Sequence, residues 1–396
     1  MKIAMMTNNY KPFIGGVPIS VERLAEGLRE MGHRVVIFAP YYEEQQAEED
    51  VVRFKVLFRR KSDGFSVPDS LDPEIERRFK GEDFDLIHVH HPMMIGDTAR
   101  YLSWKYHVPL AFTYHTRYEQ YLHYVGLSAF KGAMPFYLRR CMKSCDMVFA
   151  PAPLMKNYLE EVGIKSRVRV LPTGLLKGSY LPDEEKAKLL RREIAGEKKH
   201  LFCIVARLAK EKNLEFLLRS MKILKERRGG DFRLTLIGEG PQKKELEKLV
   251  KKLGLTDEIF FAGKAPNQEI KNYCRASDAF LFTSLSETQG IVLLESMAAG
   301  TPVIAVKATG VSDVVINGEN GYMTDASEVK FAEKIMDVLE KKELEVLSRG
   351  ARRTAEEYRG SEIAKRALSA YAEAILIRQI KEAQKHNRRN RDVVYL

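Results

Sequence analysis

The chain alternates between short apolar runs and longer segments in which apolar residues recur at helical spacing. Residues 2–7 and 34–39 are short apolar runs, typical of strands buried on both faces of a parallel sheet. Between them, residues 19–31 have helical spacing, and Gly32 follows where such a helix would end. A strand, a helix and a second strand in this order predict a parallel sheet covered by helices.

The same alternation continues along the chain and is interrupted once. Further strands are predicted at residues 85–90, 110–114, 147–150, 168–171, 201–205, 233–238, 259–263, 279–283 and 302–306. Pro172-Thr173-Gly174 interrupts the pattern, and one long helical pattern begins at Ser361. We therefore predict two doubly wound, Rossmann-like α/β domains at 1–175 and 176–370, and a C-terminal helix with a basic tail at 371–396.

Composition agrees with two domains and limits where the protein can work. The 396 residues are 45% hydrophobic, which is enough for two cores of roughly 100–200 residues each. Four cysteines exclude a disulfide scaffold and fit a reducing compartment. No stretch reaches the roughly 18 apolar residues of a membrane span, and the first apolar run is too short for a signal peptide. We expect a cytoplasmic protein, soluble or attached to a membrane surface.

Two segments of the first predicted domain are locally basic. The chain has 65 basic and 54 acidic residues, a net charge of +11. Residues 51–61 contain five basic side chains and no acidic one, and residues 98–145 contain seven basic side chains and one acidic. The second segment is also rich in aromatic residues, which suits nucleic acid or an anionic membrane surface. An ordinary solvated positive face explains the charge alone equally well.

The first candidate site is a pair of carboxylates in the second predicted domain. Ligands of doubly wound sheets bind beyond the carboxyl ends of the strands, so two such domains favour a site in the cleft between them. Glu287 follows the predicted strand at 279–283, and Glu295 lies about two turns into the helix that this loop opens. The unpaired amides at the helix start suit a phosphate, and the carboxylates suit sugar and ribose hydroxyls. Taken alone, the pair is equally consistent with an acidic residue near the start of a helix and a solvated glutamate further along it.

Three other features follow predicted strands. Arg207 and Lys212 come after the strand at 201–205, where two cations would neutralise a diphosphate, although exposed surface cations are a serious alternative. Gly15-Gly16 would let a phosphate or sugar approach the backbone, although such a pair more often marks an ordinary turn. His115 follows the strand at 110–114 and could donate to a sugar hydroxyl, whereas a lone histidine is more often structural.

A metal site is not expected. His88, His90 and His91 lie close together in the sequence, but no further ligand set at a recognised spacing accompanies them. Asp83-Phe84-Asp85 has the form that holds a metal diphosphate in some transferases, but it precedes a predicted strand rather than following one. We interpret it as part of a loop.

Together these motifs resemble the retaining glycosyltransferases of family 4, which have the GT-B fold, over essentially the whole chain. The motifs that carry the resemblance are Pro12 with Gly15-Gly16-Val17, the D-h-h-H-x-H pattern at 85–90, Arg207 with Lys212-Asn213, the turn Gly238-Glu239-Gly240-Pro241, and Glu287 with Glu295. The resemblance implies two Rossmann-like domains facing across a cleft, with the last helix returning to the first domain. It also implies a nucleotide-sugar donor, with no bound cofactor and no metal.

The resemblance also implies a role for each matching residue. His115 and Glu287 would hold the sugar as catalytic residues, Arg207 and Lys212 the diphosphate, and Glu295 the ribose. The remaining donor contacts would come from Gly16, Lys264, Gly290, Ile291 and Val292. Lys264 would contact the nucleobase, Gly16 the phosphates, and the backbone of Gly290, Ile291 and Val292 the sugar hydroxyls and phosphate. Many members carry an aromatic-glycine pair after the first glutamate, whereas this chain has Thr288-Gln289, which bears on sugar preference.

The acceptor is indicated by a second resemblance. Residues 113–124 resemble a stretch of the bacterial diacylglycerol glucosyltransferases and open the basic, aromatic segment. We therefore expect a glucosyl unit to pass from UDP-glucose to 1,2-diacylglycerol, on the inner face of the cell membrane, to which the enzyme is peripherally bound. Tyr118, Arg139, Arg140 and Lys143 are the candidate acceptor and membrane residues.

Two alternatives stay open at this point. One is a family member that uses another nucleotide sugar and a soluble or different lipid-linked acceptor. The other, more remote, is a basic nucleic-acid-binding protein without catalysis. No recognised nucleic-acid module is visible in the sequence, so a nucleic-acid partner is not expected.

Overall fold

A computed structural model describes residues 1–13, 15–59, 66–115, 132, 134–164, 167–176, 178, 181–285, 289–308 and 310–393. Contacts divide the chain into two compact units. Unit 1 consists of Met1–Gly174 together with Gly360–Leu396, and unit 2 of Leu175–Arg359. The last helix therefore belongs to the same unit as the first strand, although more than 350 residues separate them along the chain.

Unit 1 is built around a sheet of seven parallel strands in the order β3-β2-β1-β6-β7-β8-β9. Its strands are β1 (Lys2–Met6), β2 (Arg34–Pro40), β3 (Val51–Phe54), β6 (Leu86–Val89), β7 (Leu110–Thr113), β8 (Met147–Ala150) and β9 (Val168–Val170), and β4 (Val56–Arg59) pairs with β5 (Ser66–Pro68) in a separate antiparallel hairpin. Its helices are α1 (Gly16–Glu30), α2 (Pro73–Lys80), α3 (Ile95–Tyr106), α4 (Met134–Ser144), α5 (Pro153–Glu161) and the last helix of the chain, α13 (Gly360–Val393).

Both faces of this sheet are covered, which explains why its strands are apolar throughout. Met6 and Phe38 lie in the core under α2 to α5, whereas Met5 and Ile37, one residue earlier in each strand, lie in the core under α1 and α13. Successive side chains of a strand point to opposite faces, so a strand between two helical layers needs apolar residues at every position.

Unit 2 repeats the architecture with six parallel strands in the order β12-β11-β10-β13-β14-β15. The strands are β10 (His200–Val205), β11 (Phe232–Ile237), β12 (Ile259–Gly263), β13 (Ala279–Phe282), β14 (Val303–Val306) and β15 (Gly321–Thr324). The helices are α6 (Glu184–Ala195), α7 (Leu214–Arg228), α8 (Lys243–Leu253), α9 (Asn267–Ala276), α10 (Ile291–Ala298), α11 (Glu328–Glu340) and α12 (Leu344–Glu357). Strand order reverses between β10 and β13, and between β1 and β6 in unit 1, which creates a crevice at the carboxyl ends of those strands.

The predicted fold class, doubly wound α/β with parallel sheets, is confirmed.

The basic segment 51–61 contains a strand that the sequence pattern did not predict. Part of the basic segment 51–61 forms the edge strand β3, in which Val52 and Phe54 are buried. Arg53 lies between them and donates from Nη1 to the carbonyl of Pro40 at 3.1 Å and from Nη2 to Glu48 at 3.3 Å. A strand of four residues with a cation in the middle gives too weak an alternation to be recognised from sequence.

Helix α13 is held on unit 1 by a buried carboxylate. Asp146 is fully buried at the start of β8 and accepts from Arg378 Nε at 2.9 Å, from Lys381 Nζ at 2.6 Å and from the amide of Leu110 at 3.0 Å. A buried charge is stable only when it is paired and hydrogen-bonded, and α13 supplies both cations. The docking of the helix therefore depends on this carboxylate.

Removing the charge of Asp146 should loosen α13. We expect Asp146→Asn to lower the free energy of unfolding by about 3 kcal/mol, because two partly buried cations lose their counter-charge. The measurement is urea unfolding of the full chain followed by circular dichroism. The matched control is Glu373→Gln, which breaks the exposed pair between Arg169 and Glu373 and should cost less than about 1 kcal/mol. Equal midpoints for the two variants would contradict the role assigned to Asp146.

Candidate functional site

In unit 2 the loop that follows β10 is bonded to its neighbours on both sides. The amide of Ala206 donates to the carbonyl of Ile237 at 3.0 Å, and the hydroxyl of Thr283 donates to the carbonyl of Lys212 at 3.0 Å. The hydroxyl of Ser284 likewise donates to the carbonyl of Glu211 at 3.1 Å. These bonds join the loops after β10, β11 and β13 into one surface at the carboxyl edge of the sheet.

Two glycines allow the loops after β10 and β11 to approach this closely. A Cβ on Gly238 would collide with the carbonyl of Ala206, and a Cβ on Gly240 would collide with the backbone of Leu208. Gly238 also has φ +141°, which side chains rarely adopt. The Gly-x-Gly turn thus allows the backbones of the two loops to pack closely, and its contacts with Ala206 and Leu208 lie on either side of Arg207.

Three predicted donor-binding cations lie on this edge. Arg207 is exposed two residues after the end of β10, and Lys212 is half-buried at the end of a short 3₁₀ turn, Lys210–Lys212. Lys264 is exposed directly after β12, where the amide of Gly238 donates to the carbonyl of Gly263 at 2.8 Å. Because all strands of the sheet are parallel, the loops bearing these cations share one edge, as the sequence predicted.

Helix α10 opens on the same edge with a glycine as its N-cap residue. Gly290 has φ +66° and no side chain that could cap the helix, and no acidic residue lies in the first turn. Ile291 and Val292 form that first turn, where backbone amides have no partner within the helix. Such a helix start attracts anions through its amides and the positive end of its dipole.

Glu295 lies half-buried on α10. The pKa of the buried thiol of Cys274 on α9 is raised by a hydrogen bond with Cys203, by burial, and by the charges of Cys203 and Glu295. Glu287, like Thr288, lies outside the described residues.

In unit 1 the first loop leads into α1 at Gly16. Gly15 is the N-cap residue in an extended conformation, and a Cβ on Gly16 would meet no atom within 4 Å. No described part of the protein therefore requires a glycine at position 16, and open space lies in front of it.

Four histidines gather at the carboxyl ends of β6 and β7. His88, His90 and His91 are buried, and His115 is partly exposed. His90 Nδ1 lies 2.9 Å from His115 Nε2, and the ring centroids of His88 and His90 are 4.3 Å apart. Desolvation lowers the pKa of His88 and of His91 to about 3 and holds the pKa values of His90 and His115 well below the ordinary 6.5. All four rings are neutral at physiological pH.

The hydrogen bonds of His88 leave no nitrogen for a metal. Its Nδ1 is 2.7 Å from the hydroxyl of Tyr371, and its Nε2 is 2.7 Å from the hydroxyl of Thr113. Among the described residues, no group of three or more histidines, cysteines and carboxylates is arranged to hold a metal ion.

Helix α4 presents a basic and aromatic face to solvent. Met134, Leu138, Cys141 and Met142 are buried on one side, whereas Phe136 is 72% exposed on the other. The three predicted membrane cations, Arg139, Arg140 and Lys143, are exposed and have no ion pair with a described residue. Tyr118 lies outside the described residues. No helix in the described part of the chain is both long enough and apolar enough to cross a bilayer.

Sequence reasoning missed the pairing of His90 with His115. The only signal was that His88 and His90 share one side of a strand and that His115 follows the next strand along the chain. That β6 and β7 are neighbours in the sheet was needed to turn this signal into a contact.

Comparison with known proteins gives matches over most of the chain. The family model "Glycosyltransferase Family 4" matches residues 14–175, and the model "Glycosyl transferases group 1" matches residues 185–354. An alpha-monoglucosyldiacylglycerol synthase of Streptococcus pneumoniae is 30% identical over 319 residues, which are 77% of this chain and 71% of that protein. The protein of the same name from Acholeplasma laidlawii is 28% identical over 345 residues, 83% of this chain and 86% of that protein.

A solved structure has the same fold. HepE of Anabaena, crystallised with UDP, superposes with a TM-score of 0.76 at 20% identity and covers 94% of this chain and 100% of its own. At this identity the likeness shows the fold alone, and it confirms the GT-B class inferred from sequence.

The buried histidines should make stability fall at mildly acidic pH. Their pKa values are lower in the folded protein than the 6.5 of an unfolded chain, so the unfolded chain binds more protons below pH 6.5. The free energy of unfolding should be at its full value above about pH 6.5. It should fall as the pH drops below that, by roughly 1.4 kcal/mol per pH unit for each histidine. We expect His91→Asn, whose amide can accept from the backbone of Asn8 as His91 does, to make this fall shallower by that amount. Urea unfolding at several pH values between 4 and 7 measures it, and identical slopes would contradict it.

Proposed function

The chain belongs to the family 4 glycosyltransferases, and we propose that it transfers a glucosyl unit from UDP-glucose to 1,2-diacylglycerol with retention of anomeric configuration. The observation that carries the donor half of this proposal is the convergence of Arg207, Lys212 and the start of α10 at Gly290 on one sheet edge. The acceptor half is supported by the two relatives whose names state glucose and diacylglycerol.

The donor would bind along the carboxyl edge of unit 2. Arg207 and Lys212 would hold the diphosphate together with the amides of Gly290, Ile291 and Val292. When the bond between the sugar and the diphosphate breaks, negative charge grows on the departing oxygen. Cations and oriented amides already in place stabilise that charge more in the transition state than in the bound donor, which is what accelerates the reaction.

The two ends of the donor would have separate contacts. Glu295, half-buried on α10, would accept from the ribose hydroxyls, and Lys264 would contact the nucleobase from the loop after β12. At the sugar end we assign Glu287 and His115 to hydroxyl groups of the transferred glucose, and Gly16 to the phosphates. No described residue is assigned as a nucleophile, and the departing phosphate would take the acceptor's proton on the same face of the sugar.

Diacylglycerol resides in a membrane, so the enzyme must meet it there. On helix α4, the exposed Phe136 would insert at the membrane–water interface, and the exposed Arg139, Arg140 and Lys143 would bind anionic headgroups. An aromatic residue beside several cations on the exposed side of an amphipathic helix is the arrangement that binds anionic surfaces. We therefore propose peripheral attachment to the inner face of the cell membrane through this helix.

The experiment that tests the proposal supplies radiolabelled UDP-glucose and anionic vesicles with or without diacylglycerol, followed by lipid extraction. Label in the organic phase that depends on diacylglycerol is the expected result. Binding of unlabelled UDP-glucose is measured separately by titration, with GDP-mannose for comparison. Binding without transfer would discard the lipid acceptor and favour a soluble one. Absence of both would discard the donor.

Loss of the sugar-side carboxylate should stop turnover without unfolding the protein. We expect Glu287→Ala to lower kcat by roughly 100-fold to 1,000-fold, the usual effect of removing one polar contact made to the transition state. The matched control is Glu245→Ala, which removes an exposed carboxylate of α8 and should leave kcat unchanged. Near-normal transfer by Glu287→Ala would remove Glu287 from the site.

Reversing two charges on α4 should separate membrane binding from donor chemistry. We expect Arg139→Glu with Arg140→Glu to weaken sedimentation with anionic vesicles by at least about 30-fold, since each cation contributes about 1 kcal/mol near such a surface. Hydrolysis of UDP-glucose in the absence of vesicles should be unaffected. Lys251→Glu with Lys252→Glu, two adjacent exposed cations of unit 2, is the charge-matched control. Equal vesicle binding by both double variants would return α4 to an ordinary solvated face.

A further inference from the structure

His90 is a buried histidine that makes one side-chain hydrogen bond. It is 1% exposed, its Nδ1 lies 2.9 Å from Nε2 of His115, and its Nε2 is buried with no hydrogen-bond partner among the described residues. An unpartnered buried nitrogen is costly, so its presence calls for a physical reason. The reason lies in what the bond to His115 demands of both rings.

A hydrogen bond between two neutral imidazoles can be made in only two ways. Either His90 donates from Nδ1 and His115 accepts at Nε2, or His115 donates from Nε2 and His90 accepts at Nδ1. Both rings are neutral, because desolvation and the neighbouring histidines hold their pKa values well below 6.5. The two arrangements differ in which proton each ring carries on its other nitrogen.

The unpartnered nitrogen of His90 distinguishes the two arrangements. If His90 accepted at Nδ1, its Nε2 would carry a buried N–H with no acceptor. If His90 donates from Nδ1, its Nε2 is a bare lone pair. Buried N–H groups without an acceptor are rarer than unsatisfied acceptors, so donation from His90 is the lower-energy choice.

The ring of His90 packs against a neighbouring ring that is itself fixed by hydrogen bonds. The ring centroid of His90 lies 4.3 Å from that of His88 with a 32° angle between the planes. His88 is fixed at both nitrogens, by the hydroxyl of Tyr371 on α13 and the hydroxyl of Thr113 on β7. The backbone amide of His90 donates to the carbonyl of Met6 at 2.9 Å. The ring is held by packing as well as by its one bond.

We propose that His90 is a positioning residue that holds His115 in the tautomer protonated at Nδ1, so that His115 offers an N–H donor to an oxygen of the bound sugar. His115 is partly exposed, and its Nδ1 makes no hydrogen bond to a described residue. Without His90, His115 could carry its proton on either nitrogen and would present a lone pair to the sugar part of the time. The donation from His115 to a sugar oxygen rests on the proposed function, whereas the tautomer of His115 does not.

The tautomer can be measured on the full-length protein without any substrate. Long-range proton–nitrogen NMR correlation of histidine-labelled protein at pH 7.5 distinguishes a protonated from a bare ring nitrogen, and nine histidines make assignment practicable. His115 is assigned from the signal lost in His115→Gln. We expect protonated Nδ1 and bare Nε2 for His115. The opposite pattern would overturn the proposal, whatever the enzyme transfers.

Two substitutions of His90 separate donation from packing. His90→Phe keeps a flat ring beside His88 but has no donor, and it should give His115 a mixture of tautomers and lower kcat/KM by roughly 10-fold to 100-fold. His90→Asn places an amide N–H near the position of Nδ1 and should restore the single tautomer and most of the activity. A single Nδ1–H tautomer in folded His90→Phe would overturn the proposal.

The activity readout keeps this inference separate from the proposed function. Failure of glucosyl transfer by the unsubstituted protein, together with the expected tautomer, would refute the substrate assignment and leave the role of His90 intact. Should His90→Phe not fold, as judged by circular dichroism, the tautomer of the unsubstituted protein still decides the matter. A change of tautomer in His90→Phe with full retention of kcat/KM would overturn the positioning role.

Discussion

The docking of α13 onto the first sheet is the interaction on which the histidine cluster of unit 1 depends. Asp146, buried at the start of β8, receives Arg378 and Lys381 from this helix. Two turns earlier on α13, Tyr371 is fully buried and bonds to His88. The same helix that is held by a buried charge therefore supports the ring against which His90 packs. The end of the chain thus contributes to a site assembled mainly from its first 115 residues.

The second constraint is the parallel arrangement of the strands. In each unit all carboxyl ends of the central strands meet at one edge, so loops that are distant in sequence become neighbours. In unit 2 this brings Arg207, Lys264 and Gly290 to one edge, and hydrogen bonds join the loops along it. The proposed stabilisation of developing charge would depend on such bonds, because dipoles that have to reorganise during a reaction stabilise charge less.

Polar and apolar groups are also segregated on the helices that cover unit 1. On α4 the buried side carries Leu138 and Met142, and the exposed side carries Phe136 with Arg139 and Arg140. On β3 the same kind of basic segment lies along a sheet edge instead, and Arg53 bonds to backbone and to Glu48. Net charge along the sequence could not distinguish the two, because only packing shows which cations remain exposed to solvent.

The sequence by itself determined the two parallel α/β units, most of their strands, the loop that bears Arg207 and Lys212, and the helix that bears Glu295. Strand periodicity, helix periodicity and turn residues are local signals that can be recognised in a single sequence. The rule that ligands bind beyond the carboxyl ends of parallel strands then indicates which loops carry candidate site residues. Only the tertiary structure decided that His90 meets His115, 25 residues away, and that Asp146 receives Arg378, 232 residues away. Such contacts depend on which strands and helices become neighbours, and a single sequence carries no local signal of that.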